Sequence, residues 1–432
     1  MSVMPVFLFV VWVSGVAAIA VYQLVSAIRR NRRFTRCFKE VADAYGLTFI
    51  RGSLFFFPKA YGSHNGFSII VEKTTEGKQE CLRIKVAHVR ALDLDLYIRK
   101  ESLGSRLMNA VTRCDIVTGD RALDEMLYFH ASRPAHVAAS MNFETRKRLE
   151  KLSRQWETVS IKQDVMFVTR PLDRAVTASM IVECVDSLMA IGAAFADDGP
   201  LRARLMRNIE RDPEPEVRIA NLRALAAAGA LDDEARSVLR RSCDDANAVV
   251  RFEAARLLGE EGFAHCEALL ASPGSIDDAL MAEILRYLRD RGRRVPADAL
   301  MACYRGAALL ATQLEVLAAM RDAADPRLCA FLVERLANDD SDIIIAAMQA
   351  LETCGDISAV EKIYAKGKAS LNPFVRSAAN RAIAQIQSRL GKADKGWLSL
   401  TETDGTDGAL SVADGAGEGA VSVEVSKKNR KG

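Results

Sequence analysis

The pattern of apolar and charged positions divides the chain into four parts. No charged residue occurs before Arg29, and the apolar run at 3–28 is long enough to cross a hydrocarbon layer about 30 Å thick. In 34–198, short runs in which apolar and polar residues alternate are mixed with segments whose apolar residues have helical spacing. In 199–391 the apolar residues have helical spacing almost throughout. The last part, 392–432, is rich in Gly, Asp and Ala. So few large apolar groups predict a disordered tail.

The basic residues that follow the apolar run predict how it lies in a membrane. Five arginines follow the run directly: Arg29, Arg30, Arg32, Arg33 and Arg36. Because positive flanks stay in the cytoplasm, 1–33 is predicted to be a single-pass anchor with the rest of the chain cytoplasmic. A cleaved signal peptide has its basic residues before a shorter apolar core. The arginines can also attract anionic lipid at roughly 1 kcal/mol each, although topology alone explains them.

The second part, 34–198, is predicted to be a small α+β domain with a largely antiparallel sheet. We expect a turn at Gly77 and helices at 35–45, 103–111, 122–127, 143–156 and 175–196. Strands are expected at 47–50, 54–57, 67–72, 82–89, 92–98, 159–162 and 166–170. The alternation at 92–98 is the clearest, with Leu94 and Leu96 on one face and Asp93 and Asp95 on the other.

The third part, 199–391, contains a repeated phrase. Val217-Arg218, Val250-Arg251 and Val375-Arg376 each begin a copy. A weaker copy starts at 343, and two poor ones at 276 and 309, so that copies recur every 26 to 34 residues. A period of this size is typical of stacked helical units that bury their apolar faces against one another.

The phrase Asp…Val-Arg-x-x-Ala-x-x-Ala-Leu-Gly resembles the short bacterial HEAT repeats of the PBS-lyase type, over less than half of the chain. This resemblance implies an α-solenoid. The upstream Asp is expected to cap each helix, with the Val and Ala/Leu positions forming its buried stripe. We expect Arg218, Arg251 and Arg376 to form a ladder to acidic groups of adjacent repeats, with ligand contact as the alternative. The ladder should break at Ile344, which replaces the arginine.

The layout of 34–198 is also similar to an uncharacterised module of bacterial membrane-anchored proteins. The local mark of this similarity is 115–129, D-I-V-T-G-D-R-A-L-D-E-M-L-Y-F, together with Gly46-Leu47-Thr48-Phe49. That module implies no chemistry, so no functional residue is carried over from it.

Composition and side-chain spacing give little indication of nucleic-acid, metal or cofactor binding. A net charge of +3 gives no support to nucleic-acid binding. Nine cysteines without a CxxC pair predict buried, reduced thiols. The five histidines are scattered, and His265-Cys266 is the one His/Cys neighbour pair. We therefore expect neither a metal site nor a cofactor.

Two acidic clusters are candidate catalytic sites in the sequence. Asp93 and Asp95 are more simply solvated strand positions. Thr118-Gly119-Asp120 with Asp124 is more simply a glycine turn followed by a helix-capping Asp. The sequence has no Walker loop, Rossmann glycine pattern, G-x-S-x-G or HExxH motif. We expect no catalytic residue.

These observations predict a mainly α protein of the bacterial inner membrane. A transmembrane helix would be followed by a small α+β domain and a HEAT-like α-solenoid. The predicted function is a non-catalytic scaffold that binds an unknown protein partner through its solenoid, while the helix contacts membrane lipid. The alternatives are a HEAT-like lyase or chaperone acting on a small cofactor, and a ligand-sensing α+β domain.

Overall fold

A computed structural model of the protein describes residues 4–52, 57–77, 79–88, 94–100, 116–173, 175–391, 398–399 and 411–412. The chain is mainly helical, with an antiparallel sheet in its N-terminal half and a helical C-terminal region. Its contacts divide it into two compact units, Met1–Gly262 and Phe263–Gly432. The predicted domain boundary at 198/199 lies inside the first unit and stays a prediction.

The first unit contains an eight-stranded sheet in which every neighbouring pair is antiparallel. Its strands are β1 (Thr48–Ile50), β2 (Lys59–His64), β3 (Phe67–Glu76), β4 (Gln79–His88), β5 (Tyr97–Lys100), β6 (Leu127–His130), β7 (Thr158–Lys162) and β8 (Val165–Pro171). Their order across the sheet is β1-β2-β3-β4-β8-β7-β5-β6. Because alternate side chains of a strand share a face, residues such as Ile69 and Val71 line the core.

Nine helices are described in the first unit. They are α1 (Met4–Tyr45), α2 (Arg121–Asp124), α3 (Pro134–Ser140), α4 (Phe143–Gln155), α5 (Ala178–Phe195), α6 (Leu201–Arg211), α7 (Pro215–Ala227), α8 (Asp233–Ser242) and α9 (Ala248–Leu258). The C-terminal part of α1 packs against β2 and α5, and α5 packs against β4. Gly192 of α5 permits this close approach, because a Cβ there would overlap side-chain atoms of Phe67 and Met166.

Helix α1 is one unbroken element of 42 residues, about 63 Å long at 1.5 Å per residue. The prediction of a separate helix at 35–45 is therefore wrong, and the predicted boundary at 33/34 falls inside α1. Phe34, Phe38 and Val41 form a buried stripe at helical spacing. Most side chains of the predicted span at 1–33 lie outside the described residues, so membrane insertion of this helix stays a prediction.

Among the described residues, α5 is the one helix long and apolar enough to cross a membrane, judged by length and composition alone. Its apolar stripe includes Ile181, Val185 and Leu188, which are at most 1% exposed and belong to the core of the sheet domain. Packing against the sheet therefore accounts for the hydropathy of α5.

Among the local predictions in the sheet domain, the turn at Gly77 was confirmed, whereas the strand predicted at 92–98 was wrong at 94–96. Gly77, with φ +61°, lies in the hairpin turn between β3 and β4. The helix predicted at 122–127 is wrong after Asp124, because β6 begins at Leu127. Strand β5 begins only at Tyr97. Predicted elements at 54–57 and 103–111 lie wholly or mostly outside the described residues, and β2, β6 and α3 were missed.

The second unit contains eight described α-helices. They are α10 (Phe263–Ala271), α11 (Asp278–Asp290), α12 (Ala297–Gly306), α13 (Leu310–Ala323), α14 (Cys329–Arg335), α15 (Ser341–Cys354), α16 (Ile357–Ala369) and α17 (Pro373–Gly391). Two-residue strands, β9 (Leu398–Ser399) and β10 (Ser411–Val412), pair antiparallel. The rest of the predicted disordered tail, 392–432, lies outside the described residues.

From α6 onward the helices pack as successive pairs. We call α6, α8, α10, α12, α14 and α16 the first helices, and α7, α9, α11, α13, α15 and α17 the second helices. Each second helix contacts the first helix of its own pair. In the first unit α7 also contacts α9, and in the second unit α11 contacts α13, α13 contacts α15, and α15 contacts α17.

The repeated phrase marks the second helices correctly where it is strong. Val217, Val250 and Val375 are each at most 1% exposed. The register predicted for the two poor copies is displaced, because α11 begins at Asp278 and α13 at Leu310. Leu309 accordingly precedes its helix and is 59% exposed instead of buried.

Candidate interaction surface

The arginines after the apolar run lie on α1. Arg29, Arg32, Arg33 and Arg36 are exposed, and the side chain of Arg30 lies outside the described residues. Arg33 Nη2 donates to the carbonyl oxygen of Val176 at 3.0 Å. This bond joins the basic flank of the predicted anchor to the segment that leads into α5.

The arginines predicted as a ladder share one local contact. The Nη1 group of each donates to the carbonyl oxygens six and five residues earlier. Arg218 binds Asp212 and Pro213, Arg251 binds Asp245 and Ala246, and Arg376 binds Ser370 and Leu371, all within 2.8–3.2 Å. Each arginine therefore ties its second helix to the turn that precedes it by donating to two carbonyl oxygens of that turn.

A carboxylate of the next helix pair is reached by Arg218, whose Nη2 lies 2.8 Å from Asp245 Oδ1. The described hydrogen bonds of Arg251 and Arg376 go to carbonyl oxygens instead. At the position where the arginine is lost, Ile344 is buried, at 4% exposure.

The predicted capping by the upstream aspartates was correct at one second helix and wrong at two others. Asp340 caps α15 by accepting from the amides of Asp342 and Ile343. At α7 the N-cap is Glu214, which makes no side-chain cap bond, and at α9 it is Asn247. Asp212 is instead bound by Arg146, and Asp245 by Arg218. These aspartates are engaged by arginines from other elements, which sequence spacing does not reveal.

Ion pairs of a different set join neighbouring second helices. Arg223 of α7 contacts Glu253 of α9 at 2.9 Å, Arg289 of α11 contacts Glu315 of α13 at 3.0 Å, and Arg381 of α17 contacts Glu352 of α15 at 2.7 Å. Burial acts to raise the pKa of Glu253, but hydrogen bonds from Arg256 and Arg223 outweigh it and lower that pKa. We call these three contacts the second-helix ion pairs.

Sequence reasoning missed the second-helix ion pairs, although the sequence carries a signal for two of them. Glu253 and Glu315 each stand six residues after the N-cap of their helix, counting from 247 and from 309. Arg223 and Arg286 each stand nine residues after the N-cap of their helix, counting from 214 and from 277, and Arg286 Nε also lies 3.8 Å from Glu315 Oε1. Aligning the copies on helix starts instead of on the Val-Arg phrase displays these columns.

A groove of about 290 Å³ lies between α13 and α15. It is lined by Leu314, Leu317, Ala318 and Arg321 of α13 and by Asp342, Ile345, Ala346 and Gln349 of α15. Its floor is apolar, and Asp342 is near the start of α15 whereas Arg321 is near the end of α13. The groove has room for a few side chains of a partner segment.

The acidic cluster at 118–124 has a structural role. Asp120 caps α2 by accepting from Leu123 N at 3.2 Å, and Asp124 accepts from Thr118 N and Oγ1 and from Gly119 N. Burial raises the pKa of Asp124, although these hydrogen bonds act against it. Gly119, with φ +87°, lies so close to α7 that a Cβ would overlap the backbone at Glu216. The turn-and-cap prediction for this cluster is therefore confirmed.

The same turn belongs to a buried polar network centred on Arg146 of α4. Arg146 is fully buried and donates through Nη1 and Nη2 to the two carboxylate oxygens of Asp212, at 2.6 and 2.9 Å. It also donates to Asp120 Oδ2 at 3.2 Å and to the Met141 carbonyl at 2.8 Å. Because Asp212 follows α6, this network ties the sheet domain to the first helix pair within one unit.

The end of α3 is held by the same interface. The last carbonyl groups of a helix lack the usual amide donor four residues further along the chain. Asn208 Nδ2 donates to the carbonyls of Ala138 and Ala139, both at 3.2 Å, and Arg204 Nη2 donates to Ser140 Oγ at 2.5 Å. Arg204 and Asn208 both belong to α6, so this helix completes the end of α3.

The other side chains that could bind a metal or act in catalysis do not lie close together in the part of the chain that the structure describes. No group of three or more possible metal ligands occurs among those residues. The eight cysteines described are buried thiols, and burial raises the pKa of Cys243 and of Cys303 to about 11. Asp95 is exposed in a left-handed conformation, φ +45°, and Asp93 is not described.

A hollow of about 490 Å³ lies between α4 and α5 in the sheet domain. Several of its charges are already paired. Lys151 contacts Glu183, Lys147 contacts Glu150 at 3.0 Å, and Asp186 Oδ1 accepts from the Tyr45 hydroxyl at 2.7 Å. Its lining is therefore a charged surface that is largely satisfied internally.

The chain matches no known protein family, no curated protein and no solved structure.

Proposed function

We propose that this protein is a membrane-anchored, non-catalytic scaffold of a bacterial inner membrane. In this proposal α1 holds the chain in the membrane, and the helices from α6 onward form a HEAT-like solenoid in the cytoplasm. The exposed faces of the second helices bind a protein partner.

The packing of the second helices is the observation that carries the proposal. Within the second unit α11, α13, α15 and α17 contact one another in sequence order. Their outward positions, such as Glu283, Arg286 and Gln349, are exposed or half-buried. Stacked helix pairs of this kind generate extended binding surfaces. Arg218, Arg251 and Arg376 make the same contact with the turn before their helix, which supports the view that their helix pairs are equivalent repeat units.

The character of α1 supports the anchor. Its first 25 positions carry no charge, its exposed arginines follow directly, and its last turns are part of the core of the sheet domain. An unbroken helix of this kind would hold the domain at a fixed distance from the bilayer. The arginines would meet anionic lipid headgroups, which attract juxtamembrane basic residues.

The alternative class of function is a lyase or chaperone for a small cofactor, or a ligand-sensing sheet domain. A ligand would be sought first in the hollow between α4 and α5. The paired charges there give no specific support to it.

The proposal predicts that charge reversal on a second helix abolishes partner capture. The full chain is to be purified from carbonate-washed membranes after in-cell crosslinking, as the native protein and with Glu283→Lys. The matched control is Glu361→Lys on the exposed side of α16, a first helix. We expect at least about a tenfold loss of crosslinked protein for the second-helix variant only, because like charges across an interface cost several kcal/mol.

Two outcomes would contradict this account. If carbonate releases the native chain, α1 is not an anchor. If both variants keep the crosslinked protein, or both lose it equally, the second-helix face is not the binding surface.

A further inference from the structure

The groove between α13 and α15 lies where an ion pair between neighbouring second helices is missing. Between α11 and α13, Glu315 pairs with Arg289 at 3.0 Å and with Arg286 at 3.8 Å. Ala318 has the position in α13 that Arg286 has in α11, nine residues after the N-cap. Ala346 has the position in α15 that Glu315 has in α13, six residues after the N-cap. Both alanines line the groove, and their short side chains leave its apolar floor accessible.

The turn between α16 and α17 carries two large apolar side chains that protrude into solvent. Leu371 is 94% exposed and Phe374 is 73% exposed. We call these two side chains the apolar knob. Asn372 Oδ1 accepts from Phe374 N at 2.9 Å, and Arg376 Nη1 donates to the Leu371 carbonyl at 3.2 Å. Because these bonds already order the turn, the knob loses little conformational entropy when it binds.

The groove and the apolar knob lie in helix pairs of opposite charge. Residues 329–354, which contain α14 and α15, include five acidic residues and one basic residue. Residues 357–391, which contain α16 and α17, include six basic residues and one acidic residue. Asp342 lines the groove near the start of α15, and Lys368 is in the last turn of α16, just before the knob. The charge beside the knob is therefore complementary to the charge at the Asp342 end of the groove.

The apolar knob does not occupy the groove of its own chain. Its exposure shows that it lies outside the groove, and the hydrogen bonds of Asn372 and Arg376 hold the turn in that position. Helix α15 contacts both α13 and α17, so it stands between α13 and the helix that follows the knob. A knob that fills this groove therefore has to come from a second copy of the chain.

We propose that the apolar knob of one copy occupies the groove between α13 and α15 of a second copy. Leu371 and Phe374 cover Ala318 and Ala346, and the basic end of α16 lies beside Asp342. The contact joins two different patches, so a pair of copies retains one open groove and one unused knob. Copies therefore associate head to tail. This self-association goes beyond the proposed function and depends neither on the membrane anchor nor on another partner.

The test is disulfide trapping between two variants of the full chain, purified in detergent. One variant carries Phe374→Cys and the other carries Ala346→Cys. Both also carry Cys114→Ser, because Cys114 lies outside the described residues whereas the eight described cysteines are buried thiols. Mild oxidation with copper phenanthroline should link the two variants in an equal mixture. Since a disulfide needs Cβ atoms about 3.5–4.5 Å apart, we expect at least about tenfold more dimer from the mixture than from either variant alone.

Two further variants separate a specific contact from simple exposure. Ile357→Cys replaces Phe374→Cys as the control, because Ile357 is also exposed but lies at the opposite end of α16. Its yield with Ala346→Cys should stay at the background level. Leu371→Asp, added to the Phe374→Cys chain, should lower the yield at least about fivefold, because a carboxylate would enter an apolar groove. Ala384→Asp adds the same charge at an exposed site of α17 and should leave the yield unchanged.

Three results would overturn the proposal. Equal dimer yields from Phe374→Cys alone and from the mixture would show that one knob meets another knob. Equal yields from Phe374→Cys and Ile357→Cys would show that trapping follows exposure and not a defined contact. An undiminished yield with Leu371→Asp, in a variant that melts like the native protein, would remove the knob from the contact.

Discussion

Replacing Arg146 by Met is expected to lower the free energy of unfolding of the first unit by about 3–5 kcal/mol. The substitution keeps an apolar stem of similar length but removes the guanidinium that binds both carboxylate oxygens of Asp212. The Asp212 side chain is only 1% exposed, so its charge would be left buried without its partner. The Met141 carbonyl would lose its bond to the same group.

The measurement is denaturant unfolding of the full chain with Trp12 and Trp397 replaced by Phe, so that the fluorescence reports Trp156, which is 1% exposed. Lys147→Met is the matched control on the same helix, since its side chain is 45% exposed and paired with Glu150. It should cost less than about 1 kcal/mol. Adding Asp212→Asn and Asp120→Asn to Arg146→Met should recover part of the loss, because no buried charge then lacks a partner. A loss below about 1 kcal/mol for Arg146→Met would contradict the buried network.

Replacing Leu258 by Asp is expected to unfold α9 and the helix that packs on it. Leu258 is 5% exposed at the end of the stripe that includes Val250 and Ala254. A carboxylate at this position would be buried without a partner, at a cost of several kcal/mol. That cost is a large fraction of the roughly 5–15 kcal/mol that stabilises a typical domain.

Hydrogen exchange of the full chain is the appropriate measurement, because it reports local opening of α8 and α9. Their amides should exchange far faster in Leu258→Asp than in the native chain. Leu258→Met is the control that preserves volume and apolar character, and should cost less than about 1.5 kcal/mol. Unchanged protection of α9 in Leu258→Asp would mean that the assigned helix register is wrong.

The sequence predicts a structural feature when the interactions that determine it lie within a few residues of one another along the chain. The hairpin at Gly77, the helix at Phe143–Gln155 and the burial of Val217, Val250 and Val375 follow from turn chemistry and periodicity within a few residues. The equivalence of Glu253 and Glu315 also follows from the sequence when the repeats are aligned on their helix starts. Alignment on the Val-Arg phrase places the two glutamates at different repeat positions.

Other features could not be predicted because they join distant segments. Arg146 and Asp212 are 66 residues apart, and Arg204 and Ser140 are 64 apart. Arg146 in an amphipathic helix looks like any exposed basic residue, since no local pattern marks it as buried. The same interaction changed the predicted role of Asp212, which binds Arg146 in place of capping α7.

The central claim, that the second-helix face holds a protein partner at the membrane, is tested most directly by photo-crosslinking in intact cells. A photo-reactive residue is placed in the full chain at Glu283 of α11 or at Glu361 of α16, both exposed. The account predicts that position 283 forms a discrete adduct with another protein in the membrane fraction and that position 361 does not. Equal labelling from both positions, or adducts at position 361 alone, would contradict it.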